Sequence, residues 1–315
     1  MAEYRSVRQN IPFLELCRNP DLCADVMLTA VDKLGVDAAI LFSDLLVLLE
    51  PMGLKVEFSP QDGPIIGPPI REPDDLKRLL ELTDVSPLDY VCQAVQKTRS
   101  QLSESLPLIG FAGAPFTLLA YSIEGGGSRD FRNAKQFMYT YPDAWHEAMG
   151  RFARSIARFL IAQIDAGCQI VQIFDSWVGC LGPDEYRQYV LPHSQHVLAT
   201  VAKERPQCPT IHFGTGNPTL LPLLAEAGGR VIGVDWRISM ADAWRQIGYD
   251  RSVQGNLDPT ILLTNPDIIT EKAGELLRSV ADRPGFIFNL GHGVLPQTPV
   301  ENAIALIKAV HAFKH

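Results

Sequence analysis

Seven short apolar runs, each followed by a loop and then a helical pattern, limit this chain's fold more than any other feature. They are Ala38 to Asp44, Leu108 to Gly113, Ile170 to Ser176, Thr210 to Gly214, Val231 to Trp236, Ser252 to Asn256 and Gly285 to Leu290. Strands buried on both faces read as nearly continuous hydrophobic runs, and their alternation with helices is the mark of a parallel α/β sheet. With no Gly-rich phosphate fingerprint, the pattern favours a (β/α)8 TIM barrel over a doubly wound sheet. We read residues 1–315 as a single domain of that kind, one strand short, because a closed barrel of this class needs eight. Two accounts of the eighth strand are open: the Lys55 to Ser59 run fills its place, or a strand belonging before residue 1 is missing from the chain.

Helix signals fall between the runs. Asn19 and Pro20 precede an apolar pattern that stops at Gly35, and Thr298-Pro299-Val300-Glu301 reads as a cap, a proline at the first helical position and a capping-box acid. Met149, Phe152, Ile156, Phe159 and Ile164 keep helical spacing up to Gly167. Between the first two runs, Lys55 to Ser59 and Pro64 to Ile70 flank an Asp62-Gly63 turn and predict a hairpin, followed by helices around Leu76 and Val95.

Bulk composition removes several functions. A formal net charge of -8 opposes a protein whose main work is gripping nucleic acid or an anionic membrane, so a polyanionic ligand would need a local basic patch. No stretch reaches a membrane span, and the N-terminus carries Arg5 and Arg8 without an apolar signal core, which predicts a soluble, cytoplasmic protein. The six cysteines form no C-x-x-C pair, and His193 with His196 has no third ligand nearby, so no metal is expected.

In a parallel barrel the site is assembled at the C-terminal ends of the strands. Asp44, Asp175, Ser176, His212, Asp235, Asn256, Asn289 and His292 lie in or just after the runs. Asp258, before Pro259, reads as a helix cap. Asp44 stands out because Leu45-Leu46-Val47-Leu48-Leu49 follows it, and a bare carboxylate in such a setting is costly unless it has a task. His292 sits between Gly291 and Gly293, which lets the backbone approach a ligand and offers amide donors to an anion. Glu124-Gly125-Gly126-Gly127-Ser128 reads as a mobile loop or lid and lacks the lysine of a P-loop. Tyr121, just before it, can present its hydroxyl to the barrel mouth.

Several motifs occur together in a recognisable order: Tyr4-Arg5-Ser6-Val7-Arg8, Ile40-Leu41-Phe42-Ser43-Asp44, Gly110-Phe111-Ala112-Gly113-Ala114-Pro115-Phe116-Thr117, Glu124 to Ser128, Gln254-Gly255-Asn256-Leu257-Asp258-Pro259 and Asn289-Leu290-Gly291-His292-Gly293. With them the chain resembles the uroporphyrinogen decarboxylase family along nearly its whole length. The resemblance implies a homodimeric barrel that converts uroporphyrinogen III to coproporphyrinogen III in haem and tetrapyrrole synthesis, a carboxy-lyase without a cofactor. It implies that Asp44 is the central catalytic aspartate, that Tyr121 and Ser176 offer hydroxyls to substrate, and that His292 lies near a substrate carboxylate. Arg8, with Arg5 beside it, matches a basic residue at the cleft, and Phe42, Phe111 and Phe174 line it.

The resemblance also implies a strand and an Arg-Gln-Ala-Gly-Arg loop upstream of Glu3 to Arg8, and this chain starts after both. A shortened form of a decarboxylase is favoured over a natural variant with an open barrel, and the 315-residue chain is expected to be poorly stable or nearly inactive until such a segment is restored. Two other readings are a zinc-dependent corrinoid:thiol methyltransferase of the same fold and a non-catalytic porphyrin-binding relative. The methyltransferase needs a cysteine soon after a strand histidine. Here Phe213-Gly214 follows His212 and no cysteine occurs after Cys208.

Overall fold

The computed structural model describes residues 1–59, 63–280 and 283–314. All seven expected runs form parallel strands of one curled sheet: β1 (Ala39–Ile40), β4 (Leu108–Gly113), β5 (Ile170–Asp175), β6 (Thr210–Gly214), β7 (Val231–Gly233), β8 (Ser252–Leu257) and β9 (Phe286–Leu290), hydrogen-bonded in that order. The sheet is that of a TIM barrel with a seam, because β1 and β9 are its two edges. Ile40 and Ile287 are 38% and 40% exposed along those edges.

Lys55–Ser59 does not fill the seam. It is β2, and it pairs antiparallel only with β3 (Gly63–Gly67), Val56 opposite Ile66, as a separate hairpin. Alternation explains this. Lys55 and Glu57 point to solvent while Val56 is buried, a pattern suited to a ribbon with one covered face and not to a barrel strand covered on both. Asp62, half of the expected turn, lies outside the described residues.

Helices cover the outer face of the sheet. Pro142–Ala166 buries Met149, Phe152, Ile156 and Phe159 at the expected spacing, together with Trp145, while Ile164 is only partly buried. Truncating Phe152 to Ala in that layer would cost roughly 3–5 kcal/mol through lost transfer energy and a cavity. Pro20–Leu34 starts on the Asn19 side chain, which accepts from the Asp21 and Leu22 amides, and stops at Gly35 in the left-handed region. Asp258 caps the turn that follows it, accepting from the Thr260 amide at 2.8 Å.

Two local expectations shift. The segment around Leu76 forms only the short 3-10 turn Pro73–Lys77. The last helix runs Val300–Ala312 with Pro299 as its cap residue, one position later than the capping box predicts. Thr298 is held in the preceding turn, its amide donating to the Leu295 carbonyl, so its hydroxyl caps nothing.

Candidate active site

Side chains alternate between the helix layer and the lumen along each strand, so two residues that pair across strands and share a parity share a face. Phe174 pairs with Phe213, and Phe111 and Phe174 meet edge to face at 5.6 Å, Phe174 and Phe213 at 5.8 Å. These rings wall the lumen. Gly233, beside Phe213, leaves that ring its space, since a Cβ there would lie 2.8 Å from it. On the far side Phe42 packs against Tyr4 at 5.7 Å and Phe13 at 6.3 Å, and the Arg8 guanidinium lies over Phe13.

Asp44 has the lumen parity of Ile40 and Phe42. Among the described residues its carboxylate takes a single hydrogen bond, from the Leu46 amide at 2.8 Å, as the residue turns the chain into the short helix Leu45–Leu49. Burial pushes its pKa up, and that one backbone donor is all that opposes the shift. Most of its acceptor capacity is therefore open. Tyr121 lies close enough for the Asp44 charge to add to the effect of burial, both raising the phenol's pKa, and its ring packs on Trp177 at 5.8 Å. Ser176 is half-buried immediately after β5.

At β7 the corner is built differently. Asp235 accepts from the Thr215 hydroxyl and the Gly216 amide, each at 2.7 Å, from the Arg237 amide at 3.1 Å and from the Arg237 guanidinium. Burial acts to raise its pKa, but these donors outweigh it and hold the carboxyl below the usual range. Asn256 ties the same corner by donating to the Asp235 and Ile238 carbonyls. His292 stands edge-on to Trp236 at 6.0 Å and to Phe213 at 6.4 Å, with its pKa lowered by partial desolvation and by Arg237. Gly291 is needed for this packing, because a Cβ there would lie 2.5 Å from the Trp236 backbone nitrogen.

The structure thus gathers Asp44, Tyr121, Phe42, Phe111, Phe174 and His292 around the lumen, with Ser176 at its rim and Arg8 at one end. Arg5 stands apart. It donates to the Pro296 carbonyl and lines an open groove of about 450 Å³ between the first helix and residues 297–300, to which Phe42, Phe111 and Phe174 do not contribute. Asp175 and His212 also fall elsewhere. Both have the opposite parity and are fully buried in the helix layer, Asp175 on the Thr117 hydroxyl and His212 on the Leu224 carbonyl. The glycine loop is not a free lid either: the Glu124 carboxylate caps the helix Arg132–Thr140 and Gly125 accepts from the Ile66 amide, tying the loop to the hairpin.

Sequence reasoning missed Phe213 and the Trp236-Arg237 pair as pocket residues. Parity would have found Phe213 once Phe174 was placed. Arg237 lies two residues past a strand and carries no pattern of its own.

Comparison with known proteins agrees with this architecture. The family described as uroporphyrinogen decarboxylase (URO-D) matches residues 1–313. A uroporphyrinogen decarboxylase from Carboxydothermus hydrogenoformans is 49% identical over 311 residues, covering 99% of this chain and 88% of that protein. One from Sorangium cellulosum is 46% identical, with the same shares covered. Among solved structures, a methyltransferase from Methanosarcina mazei superposes with a TM-score of 0.82 at 23% identity, covering 95% of this chain and 87% of that one, a likeness of fold alone. Among the described residues no three His, Cys, Asp or Glu side chains gather as a metal site, and no helix is long and apolar enough to cross a membrane.

Proposed function

The chain belongs to the uroporphyrinogen decarboxylase family, and from its pocket we propose that it removes CO2 from the four acetate side chains of uroporphyrinogen III to give coproporphyrinogen III, with Asp44 as the catalytic centre. The observation that carries the role of Asp44 is a lumen-facing carboxylate, mostly withdrawn from water, with one backbone donor and open acceptor capacity.

Decarboxylation leaves an electron pair on the acetate carbon, and the pyrrole ring itself can receive it. Protonating a pyrrole carbon makes that ring cationic, CO2 departs as its bonding pair forms an exocyclic methylene, and protonation of that methylene with loss of the proton first placed on the ring restores the pyrrole and leaves a methyl group. Asp44 accepts hydrogen bonds from the pyrrole N–H groups and stabilises the positive charge as it forms. Such preorganised charge in a site of low dielectric is worth far more than in water. The group must be ionised to act. Tyr121 and Ser176 offer hydroxyls to the substrate, Arg8 and His292 meet its carboxylates, and Phe42, Phe111 and Phe174 pack against the macrocycle. Arg5 meets carboxylates only at the groove it lines.

Thiol methyl transfer on zinc is not favoured. The strand histidine it would use, His212, faces the helix layer, and Phe213 follows it where a cysteine is needed. We propose further that residues 1–315 act as one domain, that the protein is a homodimer and that it works in the cytoplasm. Sedimentation and cell fractionation test the last two. The catalytic reading is tested by incubating the protein with uroporphyrinogen III anaerobically, measuring CO2 and separating the oxidised products. Stepwise loss of four carboxyl groups supports it, and equal turnover by D44N would sink it.

A further inference from the structure

An eight-carboxylate ligand needs cations that face it, and in a chain with net charge -8 these must be local. On the β7 side the cation in place is Arg237. Its own amide and one guanidinium nitrogen are engaged by Asp235, and the same nitrogen reaches the Thr215 hydroxyl at 3.2 Å. The guanidinium carbon lies 4.1 Å from the centre of the Trp236 ring, a cation-π contact that fixes the plane of the fork. Among the described residues its Nε and Nη2 donate to no protein acceptor, and the side chain is 42% exposed. A fork fixed on one edge and open on the other is prepared for bidentate capture of a carboxylate.

Asp235 does not cancel that charge for a ligand. It shares its two oxygens among a hydroxyl, two amides and the guanidinium, and it is nearly fully buried beneath them. His292, on the other side of Trp236, feels the cation more than the anion: Arg237 lowers its pKa more than Asp235 raises it.

We propose that Arg237 is a substrate-binding residue, its free guanidinium edge holding, together with His292, one carboxylate of the tetrapyrrole at the β7–β9 side of the mouth. The proposal rests on the decarboxylase reading for the identity of the ligand. It gives the lumen a cation at each end of its aromatic wall, Arg8 over Phe13 and Arg237 over Trp236.

The test uses the full chain and its R237Q, R237K, H292Q and R237Q/H292Q variants. The readouts are kcat and KM for uroporphyrinogen III, the Kd of uroporphyrin (the oxidised, non-reacting octacarboxylate) by fluorescence quenching, and the Tm of each protein. R237Q should raise Kd by roughly 10- to 100-fold, the scale of a lost charge-assisted contact, and raise KM by more than it lowers kcat. R237K should restore only part of the loss, because a point charge lacks the fork. The double variant should lose less than the product of the single losses, since both groups hold one carboxylate. A Kd within twofold of wild type for R237Q overturns the proposal, whatever happens to Tm, and so does independence of the two substitutions. If turnover is normal while Kd ignores Arg237, only this inference falls. If wild type and D44N are equally inert, also in a form extended at the N-terminus by a strand and an Arg-Gln-Ala-Gly-Arg loop, while Kd still depends on Arg237, the decarboxylase reading falls and the binding role stands.

Discussion

Asp44 and Asp235 end barrel strands with the same lumen parity, yet their surroundings give them opposite character. Asp235 collects a hydroxyl, two amides and a guanidinium, and its pKa lies below the usual range. Asp44 has one amide, and its pKa lies above it. The first is part of the scaffold, its charge engaged in holding two loops together. The second keeps its acceptor capacity for something that arrives from outside. What separates the proposed catalytic carboxylate from the structural one is how many donors each already holds, a property of the neighbours more than of the strand end.

The largest expected break of this comparison is in turnover. Asp44→Asn keeps shape but loses the charge, and should lower kcat by about 10²–10³, the usual cost of one preorganised electrostatic group. Initial CO2 release measures it, and a loss under tenfold would mean Asp44 is no more than a lining residue. Next comes stability at the other corner. Asp235→Ala strands the Thr215 hydroxyl, the Gly216 amide and Arg237, and should cost about 2–4 kcal/mol in urea unfolding. The depressed pKa of Asp235 gives the sign with pH: its contribution is present above the unfolded carboxyl value and lost as pH falls through the folded one, so the variant should lose part of the wild-type acid sensitivity. Gly291→Ala, which drives a methyl into the Trp236 backbone, should cost roughly 1–3 kcal/mol by overpacking, and H292Q, which leaves that backbone clear, should unfold close to wild type.

The contrast also explains what could be read beforehand. Central strands such as β4 and β6 were legible because burial on both faces writes each as a nearly continuous apolar run, whereas the edge strands β1 and β9 and the more polar β8 were legible from their place in the alternation with helices; Asp44 was legible because five apolar residues follow it. The donors around Asp235 were not, because they come from residues 215, 216 and 237 on two loops, and nothing in local spacing says that these meet. Asp175 and His212 misled for the same reason that Phe213 was overlooked: proximity to a strand end was weighed before parity, and parity decides which face a side chain occupies. The Lys55–Ser59 run was ambiguous as a lone strand, and only the closeness of Gly125 and Gly126 to the hairpin shows where it docks.

The smallest effect is the most telling about Asp44. An acid whose pKa is raised on folding binds more protons folded than unfolded, so it lowers stability as pH rises from the ordinary carboxyl value through the raised one. Keeping Asp44 ionised, as the proposed mechanism requires, therefore costs the folded protein stability. Asp44→Asn removes that burden and should raise stability by about 0.5–2 kcal/mol at pH 7, the size of gain common when a functional group is traded for a neutral one. Below the ordinary carboxyl range the gain should vanish, because wild-type Asp44 is then protonated in both states. Urea midpoints of the two proteins at pH 7 and near pH 3.5 make the comparison, with no substrate present. Equal midpoints at pH 7, or a variant less stable than wild type there, would mean the carboxylate is already satisfied within the fold, and the distinction between Asp44 and Asp235 would collapse.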